Sequence, residues 1–121
     1  MPFARLLGIE MLSAEAGSVR ARVAWDETRT TAGGILHGGV LMALADACGA
    51  LCAYYNLPDG STRTGTIESK TNFLAPVRSG FVEAVSQPLH VGRTTIVVET
   101  DVFDQDGRRV ARVTQTQAVL P

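Results

Sequence analysis

The chain has 121 residues, 45% of them hydrophobic and 19% charged, with a formal net charge of −1. This suits a single domain, residues 1–121, with a modest core, and the near-neutral balance gives no reason to propose a nucleic-acid-binding surface. No run reaches the roughly 18 continuous apolar residues of a membrane span, because Asp46 cuts the longest one. Met1-Pro2-Phe3-Ala4-Arg5 lacks a basic start leading into an apolar stretch, so no signal peptide is expected.

Pro2 to Leu7 reads as one short helical turn. Gly8 to Ala16 reads as a first strand, and Gly17 breaks it. Ser18 to Trp25 alternates, with Val19, Ala21, Val23 and Trp25 on one face and Arg20 and Arg22 on the other. Asp26 to Leu36 is polar, contains Gly33-Gly34, and reads as a loop. His37 to Tyr55 is the one long helix, and Asn56 to Ser61 carries turn chemistry in Pro58-Asp59-Gly60. Thr62 to Leu74 is a Thr-rich strand stopped by Pro76. Phe81 to Val91 is a strand whose internal Pro88 demands an edge or a bulge. Arg93 to Phe103, a hairpin loop at Asp104 to Gly107, and Arg108 to Leu120 complete the chain. The order β-β-α-β-β-β-β predicts an α+β domain: an antiparallel sheet of about six strands wrapped around one long central helix.

That helix carries the chemistry. At 100° per residue, Leu41, Leu44, Cys48, Leu51, Cys52 and Tyr55 form a bulky stripe expected to face the sheet. Gly39, Met42, Ala43, Asp46, Gly49, Ala50 and Ala53 form the opposite, small-residue face. Asp46 is the only charge between His37 and Asn56, and it should point away from the core. A merely solvated acid is the alternative, but no other charge shares its face. Gly38 and Gly39 fall in the first turn, where N–H groups lack intrahelical partners and carry positive partial charge. A substrate carbonyl placed there is polarised as in an oxyanion hole. His37 begins the helix, with capping as its simplest role. It lies about half a turn and about 12 Å of rise or more from Asp46. Gly38 and Asp46 of one chain are likewise too far apart to act on one carbonyl. If both act on one substrate, they come from two chains, which predicts a homodimer with composite active sites.

The order of elements, with Gly34-Ile35-Leu36-His37-Gly38-Gly39-Val40, Asp46 and Thr71-Asn72-Phe73-Leu74-Ala75-Pro76, resembles the hotdog-fold acyl-CoA thioesterases across essentially the whole chain. The nearest groups are the phenylacetate-pathway and 4-hydroxybenzoyl-CoA thioesterase-related ones. The resemblance implies that the Gly38 N–H binds the thioester carbonyl and that Asp46 of the neighbouring chain is nucleophile or general base. It implies that Thr66 helps place the water or the carboxylate, and that His37 steadies the carbonyl pocket, with Gly39 beside it. Thr31 stands where the family often has Asn or Gln. A homotetramer is the expected assembly. The substrate expected is a small or aromatic acyl-CoA.

The chemistry is self-sufficient. A thioester has a good thiolate leaving group, so a carboxylate and an oxyanion donor suffice and no cofactor or metal is required. No metal-ligand spacing, nucleophile elbow, P-loop or dinucleotide fingerprint is present. The alternatives are a non-catalytic acyl-CoA or lipid-binding module, which has no need of Asp46, and a dehydratase or hydratase, whose His and carboxylate would have to converge. Coenzyme A carries phosphates, so Arg93, after Gly92, is a candidate contact, with Arg63, Lys70, Arg78, Arg108 and Arg109 behind it. Glu68 and Asn72 are expected on the strand face of Thr66. Cys48 and Cys52 share a rigid helix face that disfavours a disulfide. Free thiols point to the cytoplasm.

Overall fold

A computed structural model describes residues 1–121. Its elements run α1 (Pro2–Leu6), β1 (Glu10–Glu15), β2 (Ser18–Ala24), α2 (Gly38–Tyr55), β3 (Arg63–Phe73), β4 (Phe81–Val91), β5 (Thr95–Asp104) and β6 (Arg109–Leu120). The six strands form one antiparallel sheet in the order β1-β2-β4-β5-β6-β3. Helix α2 touches all six, so the sheet curves around it as its composition demanded.

The core lies between the helix and the concave face of the sheet. Leu41, Leu44, Cys48 and Cys52 pack against Val19, Ala21 and Val23 of β2, Val82 and Ala84 of β4, and Ile96, Val98 and Val102 of β5. Strands β2, β4, β5 and β6 alternate buried and less buried positions, the pattern of a sheet with one face packed and one face wet. On the outer face, Arg20 and Arg22 both pair with Glu83, and Arg112 pairs with Glu99.

Three details of α2 differ from the expected faces. Tyr55 is exposed, at the helix's last turn beyond the sheet's cover. Gly49 is buried beneath Gln115 of β6 and Ala53 within the core; only Gly39, Met42, Asp46 and Tyr54 remain open along the outward line. By length and mean hydropathy, 1.3, α2 would also qualify to cross a membrane, since one carboxylate is too little to spoil the average. Here the sheet encases it and half of its residues are buried, as for the core helix of a globular domain.

Local irregularities have identifiable causes. Pro88 lies beyond the reach of β2 and next to a register shift between Pro88 and His90, so its missing N–H costs no ladder bond. The loop of residues 26–36 is held rather than free: it contains a 3-10 turn at Glu27–Arg29, Trp25 Nε1 donates to Gly34 O at 3.0 Å, and Leu36 N donates to Val77 O at 2.8 Å.

Both cysteines are free and buried. Burial raises the Cys48 thiol above its ordinary value despite hydrogen bonding from Ser86, and burial with the neighbouring Cys48 pushes Cys52 up to about 11. The native protein is therefore expected to resist thiol alkylation at neutral pH, with both cysteines reacting only after denaturation; rapid modification of either in the folded protein would contradict this packing.

Candidate active site

Helix α2 starts at Gly38 because His37 caps it. His37 is extended, with φ −61° and ψ 133°, and its Nδ1 accepts the Gly39 N–H at 2.8 Å. Its backbone N–H donates to Arg29 O at 2.9 Å, tying the cap to the preceding loop. The cap consumes the Gly39 donor. The Gly38 N–H makes no hydrogen bond and sits at the positive end of an 18-residue helix. It opens into an apolar cleft of about 380 Å³ lined by residues that include Thr31, Ile35, Leu41, Phe73 and Leu74. A side chain at residue 38 would press on the Phe73 ring at 3.0 Å, so glycine is what lets the ring lie against the helix start.

Two turns further along, Asp46 stands on the open line of α2 with an exposed carboxylate. Its Oδ1 accepts from Thr66 Oγ1 at 3.1 Å and from Gln115 Nε2 at 3.2 Å. Gln117 Nε2 in turn donates to Thr66 Oγ1 at 2.7 Å. Asp46 borders a second pocket, about 330 Å³, walled by Met1, Pro2, Phe3, Ala4 and Ile9 of the N-terminal segment and by Ala43, Ala47 and Ala50 of α2. Gly38 and Asp46 thus serve different pockets of one chain, eight residues and about 12 Å apart along the helix.

Thr66 meets Asp46, and Thr31 and Gly38 share a cleft. His37 and Asp46 are not brought together. Arg93 is apart from Gly38: it lies in the β4–β5 turn, exposed, while the row of Gly38 and Phe73 is opposite Ala111. Thr95 pairs with Ala118, so the two rows are about 23 Å apart along β6. Arg108 and Arg109 are engaged with Asp104 and Asp101.

Glu68 and Asn72 do not share the face of Thr66. The register shifts between Thr66, opposite Gln117, and Glu68, opposite Thr116, leaving Ile67 as an extra residue. The bulge reverses the alternation. Ser69, Thr71 and Phe73 join Thr66 on the inner face, whereas Glu68 and Asn72 turn outward.

Gln115 and Gln117 are the contacts that the sequence reading missed. Both are wholly buried. Their signal lay in the phase of the last strand: Ala111, Val113, Gln115 and Gln117 occupy the inward positions, so two amides stand where the pattern calls for aliphatic side chains.

Residues 33–111 match the thioesterase superfamily. Among similar chains, ComA2 of Bacillus subtilis is 35% identical over 115 residues, covering 94% of this chain and 90% of its own. The proofreading thioesterase EntH of Klebsiella pneumoniae is 35% identical over 114 residues, covering 94% and 82%. The crystal structure of a thioesterase from Haemophilus influenzae superposes with a TM-score of 0.91 at 30% identity, over 98% of this chain and 82% of the other.

Proposed function

The chain belongs to the thioesterase superfamily, and from that premise we propose that it hydrolyses small or aromatic acyl-CoA thioesters at a site shared between two subunits. The observation that carries the reading is the pairing of an unused helix-terminal donor, the Gly38 N–H, with a carboxylate, Asp46, held by side-chain hydrogen bonds on the open line of the same helix. Neither can complete the reaction alone, and within one chain they face different pockets. Two antiparallel copies of α2 would bring each Gly38 to its partner's Asp46.

The dimer proposed forms through β3. This strand is a sheet edge of 11 residues with no partner on its outer side, and it leaves Ile67, Phe73 and the adjoining Leu74 more than half exposed. A long edge with exposed apolar side chains calls for a partner. Two such dimers make the homotetramer expected from the resemblance. Buried free thiols suit a reducing, cytoplasmic setting.

In this reading the thioester carbonyl oxygen accepts the Gly38 N–H, which stabilises the oxyanion as the carbonyl carbon becomes tetrahedral. The partner subunit supplies its carboxylate, as nucleophile on that carbon or as base on water. Along the base route, Asp46 takes one proton from water while the hydroxyl oxygen bonds to the carbonyl carbon. The C–S bond then breaks with its electron pair on sulfur. The proton passes from Asp46 to the thiolate, yielding free acid and CoA. His37 keeps the donor loop in place through its cap, with Gly39 as the residue capped. Arg93 is proposed as a contact for the CoA phosphates beyond the reacting centre.

Thiol release from a panel of acyl-CoAs tests the reading. Turnover is expected with short or aromatic acyl groups and to fall with long chains; saturable binding without release would identify a carrier instead. Thr31 reaches the carbonyl cleft with a hydroxyl rather than an amide. Thr31→Asn is expected to hydrolyse the same substrates at an equal or higher rate, and a collapse in rate would assign Thr31 a specific function of its own.

A further inference from the structure

We propose that Gln115 and Gln117 are positioning residues that commit Oδ1 of Asp46 to the protein and leave Oδ2 as the oxygen that meets the substrate, an inference that rests on the catalytic reading of Asp46. Every donor reaching the carboxylate converges on one atom: Thr66 Oγ1 and Gln115 Nε2 both donate to Oδ1, and Oδ2 takes no hydrogen bond from the protein. Oδ2 is therefore the oxygen whose lone pairs no protein donor occupies.

The direction of the network is fixed by the glutamines. Gln117 Nε2 donates to Thr66 Oγ1. With that lone pair occupied, the Thr66 hydroxyl is a ready donor, and Asp46 Oδ1 is its acceptor. Turning the Gln115 amide over would aim its Oε1 at the carboxylate, oxygen against anionic oxygen, so the amide holds one orientation while Asp46 is ionised. Gly49 completes the arrangement. A Cβ at residue 49 would lie 2.0 Å from Gln115 Oε1 and 2.7 Å from its Cδ, so only glycine lets this amide lie flat on the helix.

The arrangement has a cost that points to function. The Oε1 atoms of both glutamines are buried without a hydrogen-bond partner. A buried unsatisfied acceptor destabilises a fold, and replacing a buried polar group and its partner by apolar groups of the same shape can be nearly neutral or stabilising. An aliphatic pair at these inward positions would make the better core. Residues that weaken a core while holding a reactive group in place are the signature of a site that trades stability for activity.

The test is Gln115→Met, which keeps the volume and removes the amide, measured for kcat, KM and Tm on the full chain beside Asp46→Ala and the double variant. The expected result is a fall in kcat of about 10-fold or more, as for partners that orient a reactive ligand, with KM within about threefold and Tm unchanged or raised. In the Asp46→Ala background, Gln115→Met is expected to leave the residual rate unchanged. Gly49→Ala displaces the same amide from the helix side and is expected to lower kcat as well. Wild-type kcat in Gln115→Met beside an inactive Asp46→Ala overturns the positioning role alone. A parallel loss of kcat and Tm in Gln115→Met overturns it in favour of a structural amide. An active Asp46→Ala overturns the reading of the site and this inference with it.

Discussion

Asp46→Ala is expected to lower kcat for thioester hydrolysis by two orders of magnitude or more, the usual loss when a catalytic acid–base group is removed, while the protein stays folded. The separation of activity from stability follows from where the residue sits. Asp46 is exposed in mid-helix, it contributes nothing to the core cluster, and it is in neither terminal turn, where a carboxylate would couple to the helix dipole. Alanine is the better helix former by about 0.5 kcal/mol. Against that gain, Gln115 Nε2 and Thr66 Oγ1 lose an acceptor, a cost on the order of 1 kcal/mol. The balance moves Tm by no more than a few degrees. A variant that melts like the parent and releases no thiol would establish Asp46 as chemical rather than structural. Retention of near-parental kcat would remove the carboxylate from the mechanism and leave the hydrolysis to other groups.

The elements that could be read from sequence were those governed by one dominant period. The apolar run of residues 37–55 leaves little but a helix, and the alternation in residues 18–25 leaves little but a half-buried strand. Pro88 announced its own bulge, because a missing N–H has few places to go. The bulge at Ile67 had no such herald: it contains neither Gly nor Pro, and it arises from how β3 meets β6. A single extra residue there moved Glu68 and Asn72 to the outer face. The helix faces were read as two, bulky and small, when the real division is by contact with a strongly curved sheet; Gly49 is small because Gln115 of β6 lies over it, and Ala53 is buried in the core, so that flank is not open. Asp46 could be singled out because it was alone among apolar residues. Its partner Gln115 is 69 residues away in sequence, and Gln117 reaches it only through Thr66; both are joined to it only when β6 and β3 close over α2. Local pattern marks such a pair as out of phase; only the tertiary arrangement gives the reason.

Gly38→Pro is expected to lower kcat by about 10²- to 10³-fold, the cost of deleting one oxyanion donor, with little loss of stability. Proline is ordinarily a blunt reagent in a helix, but residue 38 is the first helical position, where its fixed φ is already suited to the turn and the N–H it removes has no partner within the protein. The preceding residue must be extended to accept a proline ring, and His37 already is, at φ −61° and ψ 133°. The steric part of the change is separable. A Cβ at residue 38 meets the Phe73 ring at 3.0 Å, at the far end of a side chain that can shift. Gly38→Ala makes the same encounter with Phe73 and keeps the N–H, so it is expected to stay within about 10-fold of the parent in kcat. The difference between the two variants isolates the donor from the crowding. Equal losses in both would mean that glycine is there to seat Phe73 and that the carbonyl is polarised elsewhere. A loss confined to proline would identify the open N–H at the start of α2 as the group that carries the developing charge.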